Sequence, residues 1–272
     1  MNLHQKAKYL IRVHRFFPKK HLGQNFVVNN EILQRMSLYA AVGRSDVVLE
    51  IGAGFGFLTR LLAQKSRKVI AVEADTRLVK VLRNELDGLD NIELIEGNIL
   101  KVTIPPFNKM VSNPPFSISS PLLFWLLNRT FDCAVLTLQK EFARRLDAPI
   151  GSKSYGSLTV FTAYRGEVEL LAPVPNEAFY PPPGVDVVIV TLKSRRVPLF
   201  KVKDEKVFDE VVRTLFTQRN RKVRNAVLPF LHERGLKGVT AVKRADFLPF
   251  NNNRVRELTP EDFGVLANEL SA

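Results

Sequence analysis

Between residues 46 and 140, short apolar runs rich in Val, Ile and Leu alternate with segments in which apolar residues recur every three or four positions. The first pattern is typical of buried strands and the second of helices that cover a sheet. Their alternation predicts βαβ units built on a parallel sheet. The predicted strands are residues 47–49, 68–72, 92–95, 109–111 and 134–138, and the predicted helices are residues 57–65, 76–86 and 121–127.

Two further apolar runs, residues 157–164 and 186–192, follow without a comparable helix between them. We therefore predict that both are strands that pair antiparallel at the edge of the sheet. The expected fold class is α/β: a Rossmann-like, seven-stranded and mostly parallel sheet with helices on both faces. Helical patterns at residues 204–216, 221–232 and 260–270 then predict a small C-terminal helical domain. We place the domain boundary after residue 197, so the first domain is residues 1–197 and the second is residues 198–272.

Composition excludes several classes of protein. The 272 residues are 46% hydrophobic and 25% charged, as in ordinary globular proteins. The sequence contains no run of about 18 apolar residues, the length a membrane span needs, so we expect a soluble protein. The longest apolar run near the N-terminus, residues 9–11, is too short for a secretory signal, so we expect it to be cytoplasmic. The single cysteine, Cys133, lies in an apolar run and predicts a small buried side chain. The four histidines show no metal-ligand spacing, so we expect no metal.

A formal net charge of +13 attracts polyanions and makes nucleic acid the natural partner. The alternative is that the charge serves only solubility. The excess is concentrated in residues 1–24, which contain six basic residues and no acid, and in residues 213–224, which contain five more basic residues. Two basic patches are therefore expected.

A glycine-rich turn follows the first predicted strand, where a doubly wound fold binds ligands. Gly52 and Gly54 let the backbone approach a ligand closely, and the spacing G-x-G-x-G differs from the dinucleotide fingerprint. Glu73 ends the second strand, where a carboxylate can accept from both ribose hydroxyls. The pattern favours S-adenosylmethionine over a tight structural turn. Asn98 would meet the adenine of that cofactor through its oxygen or its NH₂ group, or is an ordinary turn residue.

The tetrapeptide Asn113-Pro114-Pro115-Phe116 closes the fourth predicted strand. An exocyclic adenine amine is a poor nucleophile unless two acceptors draw its nitrogen toward tetrahedral geometry. The side-chain oxygen of Asn113 and the carbonyl of Pro114 can each accept one N–H, and Phe116 can stack on the ring. Elsewhere in a chain this sequence would indicate only a proline-rich turn; after this strand it predicts an amino-methyltransferase.

With these motifs, the chain resembles the ribosomal RNA adenine dimethyltransferase family, also called the KsgA family, nearly from end to end. The resemblance includes the segments around residues 21–26, 50–56, 139–141, 155–158, 179–186, 216–225 and 254–259. It implies an enzyme that dimethylates adenines of small-subunit ribosomal RNA during ribosome biogenesis. It also implies S-adenosylmethionine as cofactor, ribosomal RNA or a small-subunit precursor as partner, and we expect a monomer.

The resemblance also implies roles for further residues. Asn25 and Val27 would contact the cofactor, and Phe179 would form the wall opposite Phe116 around a flipped adenine. The chain departs from the family pattern at two positions, with Asn98 where aspartate is usual and Pro114 where leucine or isoleucine is usual. The residues expected to contact RNA phosphates are Arg219, Arg221, Lys222 and Arg224.

Three alternatives stay open. An amino-methyltransferase acting on another RNA, on DNA or on a small molecule would share the Asn113 chemistry. A non-catalytic ribosome-assembly or transcription factor would keep the fold and bind RNA without turnover. A nicotinamide-dependent reductase is disfavoured by the glycine spacing and by the lack of a hydride-relay residue.

Overall fold

The structure is a computed structural model that describes residues 1–18 and 23–271. Its strands are β1 (Phe26–Val27), β2 (Val47–Ile51), β3 (Lys68–Glu73), β4 (Ile92–Glu96), β5 (Lys109–Ser112), β6 (Cys133–Gln139), β7 (Gly166–Val174), β8 (Phe179–Tyr180) and β9 (Val187–Ser194). Its α-helices are α1 (Leu3–Val13), α2 (Asn30–Tyr39), α3 (Phe57–Lys65), α4 (Thr76–Glu85), α5 (Ser119–Leu127), α6 (Lys140–Ala143), α7 (Ser157–Arg165), α8 (Glu205–Phe216), α9 (Val223–Ala226), α10 (Leu228–Glu233), α11 (Gly238–Asp246) and α12 (Pro260–Leu270).

The predicted seven-stranded sheet is confirmed, with strand order β4-β3-β2-β5-β6-β9-β7. Strands β2 to β6 pair in parallel, and β9 pairs antiparallel with β6. The chain winds outward in one direction from β2 to β4 and then in the other from β5. Right-handed crossovers therefore put the helices of the two halves on opposite faces. The order reverses between β2 and β5, where folds of this kind bind ligands.

One predicted strand is wrong. Residues 157–164 form helix α7, and β7 occupies the edge of the sheet beside β9. Helix α7 is buried on most of its surface, so its apolar residues show no amphipathic period. A segment of this kind cannot be distinguished from a buried strand by pattern alone, and its Val, Phe and Tyr residues favour the strand interpretation.

The C-terminal helices are also more broken than predicted. Residues 221–232 were expected to form one helix, but α9 ends at Ala226 and α10 begins at Leu228. Pro229 lies in the first turn of α10, where its missing N–H costs nothing, whereas inside a continuous helix it would remove a hydrogen bond. Helix α11 was not predicted. Helix α12 spans 260–270 as predicted and begins with a capping box between Thr259 and Asp262.

The described chain forms two compact units. The first contains the described residues of 1–143 and 168–194, and the second contains the described residues of 144–167 and 195–272. We predicted a catalytic domain over residues 1–197 and an RNA-binding domain over residues 198–272. This assignment of functions to the two parts of the chain stays a prediction. The structural units differ from that division because residues 144–167 pack with the C-terminal helices.

The interior of the first unit is the sheet, whose central strands are buried along most of their length. Cys133 belongs to this core, and burial raises the pKa of its thiol. The second unit has an aromatic interior. The ring centroids of Tyr164 and Phe200 lie 4.8 Å apart, and Phe216 stacks on Phe263 with ring centroids 5.1 Å apart. In the described part of the chain, no helix is long and apolar enough to cross a membrane.

Candidate active site

A cavity of about 220 Å³ lies in the first unit at the carboxyl ends of the parallel strands. Six of the predicted cofactor residues line it, which are Asn25, Gly52, Gly54, Glu73, Asn98 and Asn113. Four other predicted residues do not line it, which are Val27, Pro114, Phe116 and Phe179. The fold therefore assembles in one place residues that follow β2, β3, β4 and β5.

The glycine turn packs directly against the tetrapeptide that follows β5. Gly52 has a φ of 75°, and a Cβ there would lie 3.1 Å from Cδ of Pro115 and 3.6 Å from the carbonyl oxygen of Asn113. Gly54 has a φ of 59°, and a Cβ there would lie 2.8 Å from the ring of Phe26. Only glycine fits both the backbone conformation and the space.

Glu73 is tied to the glycine turn. Its Oε2 accepts a hydrogen bond from the Gly54 N–H at 3.0 Å, and its Oε1 accepts one from the Asp75 N–H at 2.9 Å. The side chain is largely buried, and this burial raises the pKa of the carboxyl group. Each carboxylate oxygen has more than one lone pair, so both can still accept from a ligand in the cavity.

Asn98 occupies a turn after β4. Its Oδ1 accepts a hydrogen bond from the Leu100 N–H at 2.9 Å, and the residue is exposed at the edge of the cavity. Because the oxygen is engaged by the backbone, the NH₂ group is the part of the amide most available to a ligand. Of the two contacts considered from the sequence, this geometry favours donation.

The carboxamide of Asn113 is held at both ends. Its Nδ2 donates to the carbonyl oxygen of Asn25 at 2.8 Å, and its Oδ1 accepts from the hydroxyl of Thr137 at 2.5 Å. The carbonyl oxygen of the next residue, Pro114, accepts no hydrogen bond from any described residue. One lone pair of Oδ1 and the Pro114 oxygen are therefore the acceptors left for a ligand.

The loop of residues 23–25 forms one wall of the cavity and is anchored to it. Nε2 of Gln24 donates to Oδ2 of Asp75 at 2.9 Å. The hydrogen bond from Arg77, supported by Gln24, lowers the pKa of Asp75 to about 2, so this anchor stays ionised. At Gly23 a Cβ would lie 3.1 Å from the backbone N of Phe116, so the loop also touches the tetrapeptide.

The aromatic residues predicted to hold a base differ in exposure. Phe116 is half-buried and packs against a core cluster that contains Phe179. Phe179 is only 1% exposed and lies in β8, where it pairs with Val27 of β1. A base can reach Phe179 only if neighbouring side chains move. Tyr180 is half-buried, and Nζ of Lys8 lies 5.6 Å from its ring centroid.

Two polar side chains lie beneath the glycine turn. The Ser112 hydroxyl donates to the Ile51 carbonyl oxygen at 2.6 Å and so links the ends of β2 and β5 beyond their last paired residues. Glu50 is fully buried, and burial raises the pKa of its carboxyl group to about 8. Its Oε2 has no hydrogen-bond partner among the described residues.

The four basic residues predicted to bind RNA lie in the second unit and are not equivalent. The guanidinium of Arg219 donates to the carbonyl oxygens of Lys153 and Ser152 at 2.6 and 2.7 Å. Arg221 and Lys222 are exposed and precede α9 instead of lying on a helix face, and Arg224 is half-buried within α9. Arg219 therefore has a structural partner that the sequence pattern did not predict.

Sequence reasoning missed several residues of the site. Gln24 and Asp75 line the cavity and are bonded to each other, and Thr137 bonds to Asn113 from beneath. Thr137 carried one signal, since its hydroxyl interrupts the apolar run from Ala134 to Leu138. His21 and Leu22, which belong to the N-terminal motif, lie outside the described residues. Within the described ranges no three His, Cys, Asp or Glu side chains are grouped to hold a metal ion.

The sequence matches the model of a known protein family, described as ribosomal RNA adenine dimethylase, over residues 15–271. A protein of Methanosarcina mazei named as a probable ribosomal RNA small subunit methyltransferase A is 42% identical over 248 residues, 90% of each chain. A protein of Pyrococcus abyssi with the same name is 39% identical and covers 94% of this chain and 91% of its own.

Two solved structures are similar over most of the chain. A dimethyladenosine transferase from Plasmodium falciparum has a TM-score of 0.75 at 30% identity, covering 88% of this chain and 94% of its own. The 23S rRNA methyltransferase ErmE has a TM-score of 0.67 at 30% identity, covering 91% of this chain and all of its own.

Proposed function

The chain belongs to the ribosomal RNA adenine dimethylase family, and from that premise we propose that it dimethylates the exocyclic amine of adenines in small-subunit ribosomal RNA, with S-adenosylmethionine as methyl donor. One observation supports this reaction above the others. The tetrapeptide that carries the acceptors left on Asn113 and Pro114 packs against the glycine turn, because a Cβ on Gly52 would lie 3.1 Å from Cδ of Pro115 and 3.6 Å from the backbone carbonyl oxygen of Asn113.

The cavity suits the proposed cofactor. Gly52 and Gly54 leave room for the backbone to meet its amino-acid end, and the Glu73 carboxylate keeps lone pairs for the ribose hydroxyls. The acid also disfavours a phosphorylated ribose. When bound, S-adenosylmethionine supplies an electrophilic methyl group on a sulfonium sulfur. Asn98, through its free NH₂ group, can donate to a ring nitrogen of the adenine moiety.

The protein's own part in the reaction is to activate and orient the amine. The side-chain oxygen of Asn113 and the carbonyl oxygen of Pro114 each accept one N–H of the target amine, which concentrates its lone pair on nitrogen. The cofactor, held by Gly52, Gly54 and Glu73, would supply the methyl group to this nitrogen and leave as a neutral thioether, and the methylated amine would lose a proton to solvent. No general base is needed, because the alkylated nitrogen is strongly acidic. Positioning and electrostatics carry the rate.

The target base must be unpaired or flipped out of a helix to reach this site. Phe116, the half-buried last residue of the tetrapeptide, offers a stacking surface. A role for Phe179 in the same contact requires that its neighbours rearrange when RNA binds. Arg221, Lys222 and Arg224 are proposed to contact phosphates, whereas Arg219 is proposed to stabilise the loop that contains Ser152 and Lys153.

The decisive experiment is methyl transfer to small ribosomal subunits that lack adenine dimethylation. We expect dimethyladenosine by mass spectrometry, and Asn113→Ala should reduce its formation by a factor of about 100 or more. Asn84→Ala, at an exposed position on α4, is the matched control. Equal transfer to duplex DNA would favour a less selective amino-methyltransferase, and tight RNA binding without any methylation would favour an assembly factor.

A further inference from the structure

Thr137 places a hydroxyl between two buried leucines, Leu136 and Leu138, in strand β6. It lies near the carboxyl end of β6 and is 0% exposed. A buried hydroxyl without a partner is costly, so buried hydroxyls are nearly always hydrogen-bonded. Within the described part of the chain, the hydroxyl of Thr137 bonds to Oδ1 of Asn113 at 2.5 Å.

The direction of this bond follows from the partners of Asn113. The carbonyl oxygen of Asn25 can only accept, so the Asn113 atom 2.8 Å away must be the NH₂ nitrogen. The atom facing Thr137 is then the carboxamide oxygen. Thr137 must therefore donate, and the usual ambiguity between the two ends of an amide does not arise here.

The two bonds together fix the rotation of the carboxamide. The terminal torsion of an asparagine is broad and has little preference of its own. With Nδ2 held by Asn25 alone, Oδ1 could swing away from the position in which it meets a substrate. The bond from Thr137 prevents this rotation and leaves one lone pair of Oδ1 available.

The geometry points to Thr137 as a positioning residue for methyl transfer, whose hydroxyl holds the Asn113 carboxamide so that Oδ1 faces the amine of the target adenine. This inference rests on the proposed function. Thr137 acts through Asn113, and its value is the alignment of an acceptor that must meet the amine within a few tenths of an ångström.

The test compares Thr137→Val, Thr137→Ser and Thr162→Val. Valine keeps the shape of threonine and removes the hydroxyl, whereas serine keeps the hydroxyl. Thr162 is the matched control, because it is also buried and its hydroxyl has no hydrogen-bond partner among the described residues. Each variant is assayed for kcat and KM on small ribosomal subunits that lack adenine dimethylation, and for S-adenosylmethionine affinity by calorimetry.

We expect Thr137→Val to lower kcat about 10- to 100-fold, the usual cost of removing a group that orients a reacting one. KM for the subunit and the cofactor Kd should change less than about threefold, a split that a general loss of structure would not produce. Thr137→Ser should recover most of kcat. Unchanged kcat in Thr137→Val, or equal losses in kcat and cofactor affinity, would overturn the proposal.

A second measurement separates this inference from the proposed function. In protein labelled with ¹⁵N-asparagine, the side-chain NH₂ signals of Asn113, assigned with Asn113→Asp, should shift or broaden in Thr137→Val and stay in place in Thr162→Val. If the wild-type protein methylated no subunit, the proposed function would fail while these signals still tested the orientation of the amide. Identical Asn113 signals in wild type and Thr137→Val would refute the inference directly.

Discussion

Two buried glutamates near the glycine turn show how hydrogen-bond partners decide the role of a carboxyl group. Glu73 accepts two backbone N–H bonds and lines the cavity, whereas Glu50 is fully buried and its Oε2 has no partner among the described residues. Backbone donors favour the ionised form of Glu73, and desolvation opposes it. For Glu50 burial dominates, and it raises the pKa of the carboxyl group to about 8.

Replacing Glu73 by glutamine should weaken S-adenosylmethionine binding about 10- to 100-fold, the usual range for a hydrogen bond to a charged group. An amide offers one acceptor oxygen where the carboxylate offers two, so it cannot satisfy Gly54, Asp75 and both ribose hydroxyls together. Calorimetry measures the change. Glu169→Gln on exposed β7 is the control, and unaltered affinity in Glu73→Gln would contradict the ribose assignment.

Glu50 predicts a pH dependence of folding stability. Burial raises the pKa of Glu50 in the folded protein to about 8 from the ordinary value of 4.5, so between these values the folded state binds more protons than the unfolded state. The free energy of unfolding therefore falls as pH rises through this window. Glu50→Gln should remove that fall and gain at least about 1 kcal/mol relative to wild type between pH 5 and pH 8.

Urea unfolding at pH 5, 7 and 8 measures this effect, with Glu233→Gln on the exposed surface as control. A wild-type stability that rises across the window in step with Glu50→Gln would mean that the carboxyl group is ionised in the folded protein.

At the scale of elements, the turn between β2 and α3 depends on two separate properties of glycine. Gly54 needs a left-handed backbone, and it also needs the space that the Phe26 ring leaves. Gly88 needs only the backbone, because nothing lies within 4 Å of a Cβ there. The two positions therefore separate conformational strain from steric overlap.

Gly88→Ala should lower the free energy of unfolding by about 1–2 kcal/mol, the cost of a left-handed alanine. Gly54→Ala should lower it by about 1–3 kcal/mol more, because the added methyl displaces Phe26. It should also weaken cofactor binding. Urea unfolding compares the two variants, and equal losses would show that Phe26 yields without cost.

The sequence was sufficient to predict the elements whose hydrophobic pattern is local. The strands of the parallel sheet and helix α3 carry a clear period, and the glycine turn and tetrapeptide could be placed at strand ends. Helix α7 was missed because burial on most of its surface erases that period. Gln24, Asp75 and Thr137 were missed because each acts through a contact with a distant part of the chain. The bonds of Arg219 to the carbonyl oxygens of Ser152 and Lys153 could not be predicted for the same reason, and its contact with RNA stays a prediction.

At the scale of the whole molecule, the general attraction of RNA by net charge must be distinguished from specific contacts between side chains and phosphates. The formal charge of +13 draws the chain to any polyanion. A residue that contacts a phosphate also displaces counterions, and this alters the salt dependence of binding in a measurable way. Arg221 and Lys222 are exposed, but Arg219 is bonded to backbone carbonyls.

The double variant Arg221→Gln, Lys222→Gln should bind small-subunit RNA more weakly, and the slope of log affinity against log salt should shrink by about 0.7 to 0.9 for each lost contact. Lys206→Gln, Lys237→Gln has the same net charge and should keep the slope. Arg219→Gln should lower the melting temperature instead, because it releases the loop at Ser152 and Lys153. Filter binding at several salt concentrations measures these slopes. Equal slopes for both double variants would contradict the phosphate contacts proposed for Arg221 and Lys222.

The carboxamide of Asn113 joins two binding events that are usually treated as independent. Its nitrogen supports the loop that walls the cavity proposed for the cofactor, and its oxygen is the acceptor proposed for the target amine. Because one amide serves both places, Asn113→Ala should lose cofactor affinity as well as turnover. The first loss follows from the Asn25 carbonyl oxygen, which would lose its donor, and the second from the missing side-chain oxygen.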